Sequence, residues 1–121
     1  MNTLPYLIGH NAHQYEVLRG WGNLDPELYP VADCHEMVID KAGRIFLLTN
    51  EIRNNILIYN NKGKLVGSWG TTYPGAHGLS IAEENDTEFL LITDIVRHQV
   101  IKTRLDGTEL LILDYPKEIG A

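Results

Sequence analysis

The sequence is poor in two kinds of residue that restrict what the protein can be. It contains a single cysteine, Cys34, in 121 residues, so it cannot carry an internal disulfide framework. It also has no basic stripe, because ten Lys and Arg residues stand against sixteen Asp and Glu residues and the formal net charge is −6. We therefore expect no nucleic-acid partner and no anionic membrane surface as partner.

Long apolar runs are also missing. No stretch approaches the length that spans a membrane, and the N-terminal "MNTLPYLIGHNAHQ" lacks the basic segment and long apolar core of a signal peptide. We expect a cytoplasmic protein, or an exported one if the chain was cut from a longer precursor. Phosphate-binding glycine loops and a serine nucleophile elbow are absent as well, and no segment of ten residues has a helical period.

What the chain does contain is an internal repeat. One unit begins "HEMVIDKAGRIFLLTN" at His35, and the second begins "HGLSIAEENDTEFLLITD" at His77. Beyond the first turn the units match at a constant offset of 44 positions, which relates Asn50 to Asp94, Arg53 to Arg97, Ile56 to Val100 and Gly63 to Gly107. A repeat of this length decides the architecture before any single element is assigned.

Each unit has four short stretches rich in Ile, Leu, Val, Phe and Tyr, which is typical of a four-stranded antiparallel meander. The glycines in "NNKGK" and "RLDGT" suit short hairpin turns. The predicted strands are Glu36–Asp40, Arg44–Thr49, Asn55–Asn60, Lys64–Trp69, Leu79–Glu83, Glu88–Thr93, Gln99–Arg104 and Thr108–Asp114. The continuous runs "RIFLL" and "EFLLIT" favour strands covered on both faces, as in stacked sheets.

The ordered motifs from His35 to Asp114 resemble the NHL repeat, the blade of a six-bladed β-propeller. They comprise a His or Pro-Gly opening, G-[K/R]-[I/L]-[F/Y], a strand that ends in Asn or Asp, an Asn/Arg/His cluster, a D/K-G turn and a closing S-W-G. The resemblance implies an all-β incomplete propeller over residues 1–121, with blades at 35–70 and 77–114. Residues 15–22 resemble the outermost strand of another blade, because Trp21-Gly22 corresponds to Trp69-Gly70.

Two blades and one extra strand cannot close a ring. We therefore expect the chain to associate with other copies of itself or with a missing remainder of the propeller, since uncovered blade faces and open edges favour association. Three copies with two blades each would supply six blades.

Two histidines carry the possible chemistry. His35 and His77 begin the innermost strands, which line the central channel of a propeller. Among NHL-like propellers, the peptidyl-hydroxyglycine amidating lyases hold a catalytic zinc there through histidines of separate blades, and the resemblance implies that His35 and His77 are two such ligands. A catalytic zinc has three protein ligands, so the third would come from outside this chain. The alternative is that histidine merely begins the strand, hydrogen-bonded to a neighbouring turn.

Four further residues are weaker candidates. Arg53 and Arg97 recur at matching turn positions, and in the lyases an arginine and a tyrosine near the metal polarise the substrate hydroxyl. Tyr29 and Tyr73 precede the two histidines and are the tyrosines that could share the channel mouth. The structural alternatives are turn hydrogen bonds for the arginines and loop packing against the following proline for the tyrosines.

The sequence thus leaves three functions open. The first is a zinc-dependent, lyase-like propeller enzyme that needs residues outside this chain. The second is a non-catalytic module that binds a protein, peptide or small ligand through blade tops and channel. The third is a self-associating fragment.

Overall fold

The computed structural model describes residues 4–119; residues 1–3 and 120–121 of the predicted single domain lie outside the described residues. The described chain is all-β, with ten strands and one short 3₁₀ turn at Lys117–Ile119. The strands are β1 (Tyr6–His10), β2 (His13–Val17), β3 (Cys34–Ile39), β4 (Ile45–Thr49), β5 (Ile56–Tyr59), β6 (Leu65–Trp69), β7 (Ala76–Glu84), β8 (Thr87–Asp94), β9 (Gln99–Arg104) and β10 (Glu109–Leu113).

Eight of these strands form two four-stranded antiparallel meanders, as the repeat predicts. The first sheet has the order β3-β4-β5-β6, and the second sheet has the order β10-β9-β8-β7. The predicted strand ends agree with the structure to within one residue, except that the inner strands β3 and β7 begin earlier, at Cys34 and Ala76. This difference matters because it places His35 and His77 inside the strands rather than before them.

The remaining two strands form a separate hairpin. β1 pairs with β2 from Tyr6 opposite Val17 to His10 opposite His13. The two-residue turn places Asn11 at φ 53°, a conformation that asparagine tolerates. No strand was predicted for β1, and β2 covers only the start of the predicted strand at 15–22, since the chain turns after Val17.

The two sheets stack face to face and enclose the core. Side chains alternate between the faces of a strand. In the first sheet, face A carries Phe46, Leu48, Ile56 and Ile58, and face B carries Met37, Ile39, Ile45, Leu47, Leu57 and Tyr59. In the second sheet, face B carries Leu79, Ile81, Leu90, Ile92 and Ile101, and face A carries Leu91, Thr93, Val100, Lys102 and Leu113. Face A of the first sheet packs on face B of the second in one continuous core.

Strand pairing fixes which residues of the two sheets are equivalent. Thr49 pairs with Cys34 and Asp94 pairs with Ala76, so Thr49 corresponds to Asp94 at an offset of 45. The predicted constant offset of 44, which related Asn50 to Asp94, is therefore wrong in the second strand. It holds again in the third strand and the following turn, because the loop before β9 is one residue shorter and turns through His98 at φ 55°.

Polar contacts also join the sheets around this core, among them an ion pair between Lys41 and Glu83. The Trp69 indole donates a 2.9 Å hydrogen bond to the Leu105 carbonyl. The Tyr73 hydroxyl donates a 2.7 Å hydrogen bond to Glu109. The Lys41 amide donates a 2.9 Å hydrogen bond to the Glu88 carboxylate. The described residues of one chain thus form two stacked sheets and a hairpin, without a closed ring.

Candidate functional site

Each histidine of the candidate site is the extra residue of a β-bulge. Cys34 pairs with Thr49 and Glu36 pairs with Leu48, so His35 lies between two partners that are adjacent in β4. The same register shift occurs around His77, between Ala76 and Gly78. A bulge turns its extra side chain away from the regular alternation of the strand, and bulges are frequent beside active sites.

The two bulges bring the histidines together. The ring centroids of His35 and His77 lie 4.2 Å apart with an angle of 20° between the planes, so the imidazoles stack. Both side chains are exposed. β3 lies against β7 at this end of the core, and each bulge adds its ring to the same surface. The structure therefore places the two predicted ligand residues side by side, although they are 42 positions apart in the sequence.

The loop in front of each histidine is held by a residue at the end of the second strand. In the first sheet, the Thr49 hydroxyl accepts hydrogen bonds from the Ala32 amide at 3.0 Å and the Glu51 amide at 3.2 Å. In the second, the Asp94 carboxylate accepts from the Gly75 amide at 3.1 Å and from the following turn. Sequence reasoning missed Thr49, because the assumed offset gave its place to Asn50.

Asn50 supports the same loop one residue further along. Its side-chain oxygen accepts a 2.9 Å hydrogen bond from the Asp33 amide, two residues before His35. Asp94 also holds the turn after it, because its carboxylate accepts hydrogen bonds from the Val96 and Arg97 amides. In the first sheet the corresponding turn is held by the Thr49 hydroxyl and by the Glu51 carboxylate, which accepts a hydrogen bond from the Arg53 amide at 3.2 Å.

Both candidate arginines make contacts within the chain. Arg53 forms two hydrogen bonds with Glu51, at 2.8 and 3.0 Å, and this contact raises the pKa of Arg53 and lowers that of Glu51. Arg97 donates to the Thr72 carbonyl at 3.1 Å, and its guanidinium lies 5.3 Å from the centre of the Tyr73 ring. Arg53 therefore makes a contact within its own turn, as in the structural interpretation, whereas Arg97 bonds the loop that precedes β7.

The candidate tyrosines also make structural contacts. Tyr73 is only 3% exposed, and its hydroxyl reaches Glu109 on β10, at the opposite edge of the second sheet from β7. Burial, reinforced by the hydrogen bond to Glu109, raises the pKa of Tyr73 to about 12. Tyr29 is half-buried, and its amide donates to the Asp25 carbonyl at 2.8 Å. The structure does not bring Tyr73 to the histidine pair.

The histidine pair supplies two nitrogen ligands. An imidazole that binds zinc points a ring nitrogen at the ion within the plane of the ring, whereas His35 and His77 stack with an angle of only 20° between their planes, so at least one ring would have to turn out of the stack for both to bind one ion. Within residues 4–119, no group of three or more His, Cys, Asp or Glu side chains is arranged to hold a metal ion. The two histidines would supply two of the three protein ligands of a catalytic zinc, and the described residues place no third ligand beside them.

The two other candidate metal ligands beside His35 form hydrogen bonds within their own strand or loop. The Glu36 carboxylate accepts a 3.3 Å hydrogen bond from the Met37 amide, and the Cys34 thiol donates to the Ala32 carbonyl at 3.7 Å.

Comparison with known proteins identifies no relative: no protein-family model, curated protein or solved structure matches the chain. The resemblance to NHL repeats therefore rests on the motifs quoted above. Across residues 4–119 the structure contains no helix with the length and apolar character needed to cross a bilayer.

Proposed function

We propose that the chain contributes two consecutive NHL-type propeller blades and that His35 and His77 are two ligands of a zinc site at the inner end of these blades. The observation that carries the proposal is the pair of bulges that stack the two exposed rings at 4.2 Å. Two equivalent bulges that present the same residue type to one surface are more than a strand needs in order to begin, because a regular strand would pair without the extra residue.

The zinc site would belong to a lyase-like enzyme of the amidating type once a third ligand is present. Zinc there would act as a Lewis acid toward a substrate oxygen. This chain's own contribution is to orient the two rings: the Thr49 hydroxyl and the Asp94 carboxylate fix the loops that lead into the bulges. Such supporting hydrogen bonds set the position of metal ligands in proteins.

A non-catalytic binding module is the second candidate. It is favoured by the local contacts of Arg53 with Glu51 and of Arg97 with Thr72, which give both arginines a role within the fold. In this case the exposed histidines would form part of a surface that contacts a peptide or small ligand.

Zinc binding to purified, tag-free protein tests the proposal. We expect metal analysis and cobalt(II) absorption to detect one metal ion for each pair of His35 and His77. Both signals should disappear in His35→Ala and in His77→Ala. His13→Ala is the matched control, because His13 is also an exposed strand histidine but belongs to the separate hairpin. Equal metal content in all three variants, or no metal in an assembled protein, would leave the binding module as the better candidate.

A further inference from the structure

Each sheet has one face with no other sheet on it, although Leu57 and Tyr59 on face B of the first sheet are already buried, Tyr59 beside Trp21. Met37 and Ile39 on face B of the first sheet are 58% and 60% exposed, whereas the residue equivalent to Met37 in the second sheet, Leu79, is 6% exposed. On face A of the second sheet, Leu113 is 54% exposed. The open faces are thus one face B and one face A, and a face A packs on a face B inside the chain.

The interface between the two sheets of one chain therefore shows how a face A packs on a face B, and the open faces can be compared with it. Strand register makes Leu91 of the second sheet equivalent to Phe46, and Val100 equivalent to Ile56. Phe46 and Ile56 are fully buried by the second sheet, while Leu91 and Val100 are only half-buried. Face A of the second sheet thus carries apolar side chains at two of the positions that hold a face B in the first sheet, while Thr93 and Lys102 stand at the positions of Leu48 and Ile58.

The tryptophans show how the outer parts of two such faces fit. At the internal interface Trp69, on face A, lies against Gly107 so closely that a Cβ there would be 2.8 Å from the indole. Trp21 lies in the same way against Gly63, the equivalent of Gly107, and next to Tyr59 on the open face B. The open face A has Leu113 where the first sheet has Trp69. If the two open faces met, Trp21 of one copy would already occupy, against Gly63, the place that Trp69 has against Gly107, and the other copy would contribute the smaller Leu113 there.

A buried polar atom marks the same open end of the second sheet. Asn55 is fully buried, and its amide forms three hydrogen bonds, two of them with the backbone of Tyr73 in the segment that leads into the second sheet. Its equivalent, Gln99, donates to Asp114 at 2.6 Å, but its side-chain oxygen is buried without a partner. Buried oxygens without a donor are rare in finished interfaces.

We propose that face A of the second sheet binds face B of the first sheet of a second copy, so that copies associate head to tail. The contact repeats between molecules the packing that the chain already makes within itself. It is heterologous, because two different faces meet, and copies therefore add either into a ring or into an open chain. The inference does not depend on zinc, since neither open face includes His35 or His77.

Mixing of complementary variants tests this geometry. Leu113→Asp places a charge on the open face A, and Met37→Asp places one on the open face B. Ile52→Asp is the matched control, since Ile52 is similarly exposed, at 50%, but lies in the turn between β4 and β5. We expect light scattering to give an oligomer for the unchanged protein and for Ile52→Asp, and a monomer for Leu113→Asp and Met37→Asp alone.

An equal mixture of the two monomeric variants is the decisive sample. Each retains the face that the other has lost, so the mixture is expected to form a dimer of one copy of each. A mixture that stays monomeric would overturn the proposal, as would a monomeric unchanged protein at about 100 μM or variants that still associate alone. Met37→Gln and Leu113→Gln repeat the test if circular dichroism shows that an aspartate variant does not fold.

Discussion

The Tyr73 hydroxyl donates a 2.7 Å hydrogen bond to the Glu109 carboxylate across the interface between the two sheets. Tyr73 belongs to the segment that joins the sheets, and Glu109 begins the outermost strand of the second. The bond therefore fastens the connection between the repeats to the far edge of the second repeat. Its proton belongs to a tyrosine whose pKa burial raises to about 12, which makes the connection sensitive to alkali.

We expect stability to fall between pH 10 and pH 12 because of Tyr73. The unfolded tyrosine loses its proton near its ordinary pKa of about 10, whereas folded Tyr73 keeps it to about 12. Below pH 10 both states are protonated and the contribution is fully present. As the pH rises from 10 toward 12, the unfolded state releases its proton first and the free energy of unfolding decreases. Urea denaturation at pH 8, 10 and 11 measures this decrease.

Tyr73→Phe is the control for the alkaline transition. It removes one hydrogen bond to a charged group and is expected to cost about 1 kcal/mol near neutral pH. Its stability should then fall less steeply above pH 10 than that of the unchanged protein. Parallel curves for the two proteins would show that other groups cause the alkaline loss.

Gly107→Ala is expected to destabilise the protein more than Gly43→Ala does. Both glycines have positive φ, +93° and +82°, so each alanine costs about 1 kcal/mol of backbone strain. A Cβ at Gly107 also meets the Trp69 indole, whereas a Cβ at Gly43 meets nothing within 4 Å. We expect a total loss of about 2–4 kcal/mol for Gly107→Ala, measured by urea denaturation. The two losses should become similar in a Trp69→Leu background.

Asn55→Ala is expected to cost about 3 kcal/mol or more. The substitution removes the Asn55 amide from the Thr49 carbonyl and from the Tyr73 amide in a fully buried place, while the Tyr73 carbonyl keeps a 3.2 Å hydrogen bond from the Ala76 amide. Asn61→Ala, in an exposed turn, should change the free energy of unfolding by less than about 0.5 kcal/mol. A similar small change for both variants would contradict the role assigned to the Asn55 amide.

Asp94→Ala is expected to weaken both the fold and the histidine pair. Loss of the carboxylate frees the Gly75, Val96 and Arg97 amides, at a cost of about 2–3 kcal/mol. Because Gly75 leads into the bulge at His77, zinc affinity should fall as well, although Asp94 is not a ligand in the proposed site. Asp94→Asn keeps one acceptor oxygen and should lie between the two. Unchanged zinc affinity in a folded Asp94→Ala protein would contradict this link.

Much of the fold was predictable from the sequence. The apolar runs and turn glycines located eight strands, because strand composition and turn residues are properties of short stretches of sequence. β1 was missed, since "YLIGH" has no counterpart in the repeat and a lone hairpin gives a weak pattern. The offset error at Asp94 arose because the second strands are related by 45 positions, while the loop that follows is one residue shorter in the second sheet and restores an offset of 44. Only the pairing of the strands reveals the two changes.

The site was less predictable than the fold. Both histidines stand at recurring positions, and their placement at the inner strands suggested that they would be near each other. The bulges were not visible, because a bulge is defined by the partner strand rather than by the strand that carries it. The contacts of Tyr73 and Arg97 depend on the far strand β10 and on the loop at Thr72, which no local pattern relates to them.

At the two bulges, the chemistry of a side chain is separated from its packing on a face of the sheet. A residue in regular pairing must suit the face on which it lies, so that a change of chemistry disturbs packing. His35 and His77 have no partner in the cross-strand pairing, so we expect the pairs on either side of each bulge to tolerate a change of side chain there. Evolution can therefore exchange these two side chains and alter what the surface recognises while the rest of the architecture is conserved.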